Sequence, residues 1–276
     1  MSATALAAAV PTRAPANAAR QLFTLVLLLM GLWLLHLNLR VAPEAVILAL
    51  WIGATLLIGY GGFRRHRLRR AAFLRGYLDA ESPWSERLRG GPLMALRHLL
   101  VGALLGGLLV LALARIQTPA VWAILVAGAL ALVLLEAAFA RLIAGHAHPR
   151  LAPELARRGA LWITGGGLTL ALLVLALRGW YPDLSGASLE QVIWFMVEHE
   201  GARSAVLEIG LQLAAAQDGL RLWLGQQWLP PGAQPLPVLV AWSLLLIEQA
   251  FLAAGFLLLA NGLFPPRDPG DDPAQP

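Results

Sequence analysis

Two apolar runs decide the fold: LRHLLVGALLGGLLVLALA at 96–114 and AVWAILVAGALALVLLEAAFA at 120–140. Each is close to the roughly 20 residues that a helix needs to cross the hydrocarbon of a bilayer. Their apolar residues form continuous blocks, not the single stripe of a helix lying on a soluble core. With only Arg-Ile-Gln-Thr-Pro between them at 115–119, the two runs read as a transmembrane hairpin.

Working outward, four further runs are long enough to cross, at 21–39, 44–61, 160–177 and 237–260. The whole chain of 276 residues agrees, with 58% hydrophobic residues and only 13% charged. A soluble domain carries about 25% charged residues and could not cover its surface with half of that. Inside lipid the backbone must satisfy its own polar groups, so the spans are helices. The expected fold is therefore an all-α, polytopic bundle of about six spans, with an amphipathic helical segment between spans five and six.

That reading divides the chain into a tail at 1–20, a hairpin at 21–61, an Arg-rich loop at 62–95 and a second hairpin at 96–140. A loop at 141–159, a span at 160–178, the amphipathic segment at 179–236, a span at 237–261 and a tail at 262–276 complete it. The tail after Phe264 has no means of burying anything and is expected to be disordered, and the Ala-rich first 20 residues are expected to behave likewise. The first run is longer than a signal-peptide core and has no small-residue cleavage site after it, so it reads as an uncleaved anchor.

Arginine sets the orientation. The chain has no Lys, and all 21 basic residues are Arg. If the N-terminus lies inside, sixteen of them fall on the inner side and only Arg40, Arg115, Arg178, Arg203 and Arg221 on the outer. Positive residues stay on the cytoplasmic side. The expectation is a multi-pass protein of a bacterial cytoplasmic membrane with both termini in the cytoplasm. The formal charge of +5 is read through this placement and not as a nucleic-acid footprint. Absence of Cys excludes disulfides, thiol catalysis and thiolate metal sites.

Arg64, Arg65, Arg67, Arg69 and Arg70 form a basic extension of the second span and are expected to meet anionic lipid headgroups. In the outer segment, Ser188 and Gln191 fit a capping box. A following helix over 202–228 spaces Val206, Ile209, Leu213, Ala216, Leu220 and Trp223 as an apolar stripe, so it should lie on the outer interface or cap the bundle.

Ionisable groups within spans are the functional leads, because each costs a few kcal/mol at mid-depth unless paired. Glu248, with Gln249 beside it, lies near the centre of the sixth run and is the candidate intramembrane polar site. Glu136 comes to a depth similar to that of Arg97 and His98, which makes these three a candidate structural ion pair. Gly102 and Gly106 offer a small-residue face for close helix packing, within the bundle or in an oligomer.

No metal site is expected. His146 and His148 lack a carboxylate or Cys to complete one. Consecutive residues of the Glu198-His199-Glu200 run point about 100° apart on a helix. The sequence holds no nucleophile elbow, P-loop or His-Glu-x-x-His, and it calls for no cofactor. A scaffold or accessory subunit of a membrane complex is the leading functional reading, with other membrane proteins or further copies of the chain as partners. A transporter or channel subunit using Glu248, and a membrane enzyme acting on lipid-linked substrates, are the alternatives.

Overall fold

The computed structural model describes residues 14–74, 90–146, 152–178, 182–184, 186–228 and 235–264. The described residues are almost wholly helical: α1 (Ala14–Asn38), a 3-10 turn (Leu39–Val41), α2 (Glu44–Leu74), α3 (Pro92–Arg115) and α4 (Pro119–Ile143), followed by α5 (Ala152–Leu177), α6 (Leu189–Glu198), α7 (Ala205–Trp228) and α8 (Pro235–Gly262). Six of these, α1 to α5 and α8, are long and apolar enough to cross a membrane. They leave Phe23, Met30, Leu134, Trp162 and Leu170 more than half exposed, a surface that hydrocarbon solvates and water does not. The chain is an integral, multi-pass membrane protein.

Prolines mark where the spans begin. Pro92 and Pro119 stand at the first turns of α3 and α4, where the missing N–H would have no partner anyway. Helix α8 is the centre of the bundle. The α2–α3 hairpin packs on one side of it and α5, paired with α4, on the other, while α1 lies against α4. Phe256, Leu257, Ala253 and Ala260 of α8 are buried against Leu105, Leu109, Leu168 and Leu172 within one continuous core.

The two glycines of the 102–106 face are spent inside the chain. A Cβ on Gly102 would come 2.5 Å from the Thr55 carbonyl oxygen, and one on Gly106 3.1 Å from Ala54 Cβ. Only hydrogen at these positions lets α3 approach α2 so closely. In lipid, that close packing is what holds two helices together.

Six crossings bring the start of α1 and the end of α8 to one face, here called the termini end, while α6 and α7 cover the other, the cap end. Helix α6 opens with the expected reciprocal capping box. Ser188 Oγ accepts from the Gln191 backbone N–H, and Gln191 Oε1 accepts from that of Ser188. Helix α6 packs its buried Val192 against α7, near Gly219.

Helix α7 is turned differently from the stripe read in the sequence. Leu207, Leu211, Ala214 and Ala215 are buried, whereas Val206, Ile209 and Leu213 are 40%, 57% and 68% exposed. Polar anchors set this rotation. Ser204, Asp218 and Arg221 all bond to the bundle, and they share a face with Leu207 and Leu211, not with Leu213. Helix α1 begins at Ala14, inside the stretch expected to be disordered; residues 1–13 and 265–276 lie outside the described residues.

Candidate functional site: two ionic clusters at the ends of the bundle

At the cap end, Arg115 is the last residue of α3, where a cation complements the helix dipole. Its Nη1 donates to Glu248 Oε1 at 2.9 Å and its Nη2 to the Asp218 carboxylate of α7. Arg221, one turn after Asp218, donates from Nη1 to Glu248 Oε2 at 2.7 Å and lies 3.0 Å from Asp218 Oδ1 through Nη2. The four groups form a closed ring of alternating charge that joins α3, α7 and α8. Burial pushes the Asp218 carboxyl above its ordinary value, while Arg115 and Arg221 pull it down and Glu248 and Glu200 add to the rise.

A second set of bonds clips the start of α7 to the turn between α1 and α2. Arg40 Nε donates to the Ala114 carbonyl at 3.1 Å, and its Nη2 pairs with Glu200 at 3.0 Å. Glu44 accepts from Ser204 Oγ at 2.6 Å, a carboxylate placed at the N-terminus of α7, where the unpaired N–H groups favour negative charge. The cap is thus fastened at both ends of α7.

Glu248 therefore does not stand alone at mid-depth, as the sequence suggested. It is level with the end of α3 and shares two guanidiniums. Gln249 is half-buried and joins no hydrogen bond among the described residues.

At the termini end, Glu136 of α4 meets Arg157 of α5, with Arg157 Nη1 donating to Glu136 Oε2 at 2.7 Å. Gln21 of α1 donates to the other oxygen at 3.3 Å. Arg157 also donates from Nε to Asn261 Oδ1 at 2.7 Å and lies over the Phe264 ring. Beside it, Glu154 Oε2 accepts from Arg65 at 3.0 Å and Glu154 Oε1 accepts from Arg69 at 2.6 Å. Arg65 Nη2 donates to the carbonyls of Asn261, in the last turn of α8, and of Phe264, just past its end. This one network ties α1, α2, α4, α5 and α8.

Two expected pairings change here. Arg97 and His98 do not meet Glu136: Arg97 is exposed, and the His98 ring lies tilted against that of His66, with centroids 5.4 Å apart. The reason is register, because Arg157 lies just across the α4–α5 hairpin, whereas α3 is packed on α2 and α8. Of the five arginines assigned to headgroups, Arg65 is buried at 6% exposure and, with Arg69, is held by Glu154. Arg64 lies over the Tyr60 ring, and Arg67 and Arg70 face outward.

Between the clusters, α8 runs 13 residues from Glu248 to Asn261, about 20 Å of helix. That length is packed with Leu, Phe and Ala; Thr164 of α5 is a buried polar side chain in the bundle. No group of three or more metal-ligating side chains occurs among the described residues. In the Glu198-His199-Glu200 run, Glu200 turns to Arg40 while His199 bonds back to the Phe195 carbonyl. Chemically, both clusters can fix helices in register; neither gathers a nucleophile with a base.

Arg115, Glu154, Arg157, Asp218, Arg221 and Asn261 all act in these clusters, and none was singled out from the sequence. A signal did exist for two: Asp218 and Arg221 interrupt an apolar helix at i, i+3, the spacing of a paired face. No protein-family model, no curated protein and no solved structure matches the chain.

Proposed function

We propose that the chain is a non-catalytic component of a membrane complex, a scaffold or accessory subunit that offers its cap to a partner. The observation behind this reading is the ring of Arg115, Asp218, Arg221 and Glu248. It spends the charges of the most conspicuous intramembrane acid on holding α7 to the bundle. A transport path would need those groups free and a hydrated route onward, and leucine packing follows instead. We also place the termini end in the cytoplasm of a bacterial cell and the cap outside, following the arginine distribution.

The cap so held exposes Trp194 and Phe195 on α6 and Ile209 and Leu213 on α7, apolar side chains of the kind that concentrate at contact surfaces. The test is photocrosslinking in cells from positions 194 and 209 of the full chain, with the product identified by mass spectrometry. Both positions should capture the same polypeptide, and Arg221→Glu, which unclasps α7, should abolish capture. Glu248→Gln keeps the Arg115–Asp218 pair and the Ser204–Glu44 bond that also fasten α7, and should leave the complex intact. A stable, inserted Glu248→Gln protein that loses its cellular activity while keeping its partner would overturn the reading in favour of ion or proton passage.

A further inference from the structure

Helix α5 carries two successive arginines with opposite fates. Arg157 turns into the bundle at 5% exposure and is bound to Glu136 and Asn261. Arg158 is rotated about 100° around the helix, lies exposed, and has no hydrogen-bond or ion-pair partner among the described residues. One turn beyond it Trp162 is 73% exposed, followed on the outward face by Ile163 and Leu170 at 54% and 61%. Gly166 lies among them, and a Cβ built there meets nothing within 4 Å.

The face therefore presents, in order, a guanidinium, an indole and a notch between apolar side chains. From Arg158 to Gly166 this covers about 12 Å of helix. A bilayer leaflet presents phosphate, then the glycerol layer, then acyl chain in the same sequence and over a similar depth. An arginine beside hydrocarbon needs an anionic partner, and guanidinium fits a phosphodiester in geometry as well as charge. Glu154, four residues before Arg158, has both oxygens engaged by Arg65 and Arg69, so it is not available to an ammonium headgroup.

We propose that this face of α5 seats one anionic phospholipid of the termini-end leaflet. Its phosphodiester lies on Arg158, its glycerol region against Trp162, and one acyl chain in the notch at Gly166. Arg67, Arg70, Arg97 and Arg141 are exposed at the same end of the bundle and add to the attraction for anionic lipid.

Purified full-length protein, stripped of lipid in mild detergent, is titrated with phosphatidylglycerol, phosphatidylcholine and inorganic phosphate. Bound lipid is counted by native mass spectrometry, and the shift in Tm is followed in parallel. Phosphatidylglycerol should bind about five-fold more tightly than phosphatidylcholine, the factor expected of one basic group near the surface. Arg158→Gln should cut that preference to what the surrounding arginines alone supply, and Arg158→Lys should keep it. Gly166→Leu, which has room for its side chain, should weaken both lipids and leave their ratio unchanged. The proposal fails if Arg158→Gln retains the wild-type preference, or if inorganic phosphate alone reproduces the effect. It also fails if a photocrosslinker at position 162 captures a polypeptide while phosphatidylglycerol does not bind, because the face would then belong to a protein partner.

Discussion

Replacing Arg157 by methionine removes the residue on which the termini-end network turns. The side chain is 7% exposed, donates at 2.7 Å to both Glu136 and Asn261, and covers Phe264. Taking one member from a buried pair costs about 3–5 kcal/mol, chiefly because the other is left charged without a partner. Glu136 is 21% exposed and keeps Gln21, so Arg157→Met should fall near the lower bound, about 3 kcal/mol. The converse change, Glu136→Leu, leaves the more deeply buried Arg157 with Asn261 and the Phe264 ring but no bound carboxylate, and about 4 kcal/mol is expected. The double variant exchanges the pair for apolar groups and should return to within about 2 kcal/mol of the wild type. The resulting coupling is about 5 kcal/mol or more. Unfolding the full chain in mixed micelles with increasing dodecyl sulfate reads all four proteins on one scale. Single costs that simply add, or an Arg157→Met cost under about 1 kcal/mol, would refute the reasoning.

Three further outcomes follow from the geometry. Gly102→Leu must push α3 off the Thr55 carbonyl and should cost about 3 kcal/mol or more, read in the same unfolding assay. Ser188→Ala removes one half of the capping box and should weaken α6 by about 1 kcal/mol, seen as faster amide exchange confined to the cap. Burial raises the Asp218 carboxyl above 3.8, so the folded protein holds that proton more tightly than the unfolded chain. Its contribution to stability is complete below 3.8 and is lost as pH rises through the raised value. The Tm of the wild type relative to Asp218→Asn should therefore decline as pH rises across that window; a difference that instead grows in favour of the wild type would contradict the sign.

The spans were legible because hydrocarbon demands long apolar runs, and two such runs stand at 96–114 and 120–140 with only five residues between them. The ionic partners were not, and the causes are local. Residues 152–158 carry Pro153, Glu154, Arg157 and Arg158, and in sequence they read as a loop. In fact α5 starts at Ala152, a proline is tolerated in a first helical turn, and the network neutralises Glu154 and Arg157. A loop there puts Arg157 outside the bundle, and depth alone then matches Glu136 to Arg97 and His98. Glu248 seemed isolated because its partners, Arg115 and Arg221, stand at the end of one helix and on a cap helix that no span-by-span reading brings together. The rotation of α7 is hidden in the sequence for a related reason. Apolar spacing fitted two faces, and the choice between them was made by Ser204, Asp218 and Arg221, whose partners lie on other helices.

The central claim is that the chain crosses the bilayer six times, with the cap and the termini end on opposite sides. Because the chain has no Cys, single introduced cysteines report cleanly. Arg70→Cys and Trp194→Cys, both at exposed positions, are treated in sealed vesicles with a membrane-impermeant maleimide, before and after permeabilisation. The two sites should label from opposite faces, one before and the other only after. Labelling of both from the same face would contradict the six-span arrangement and the depth assigned to each ionic cluster.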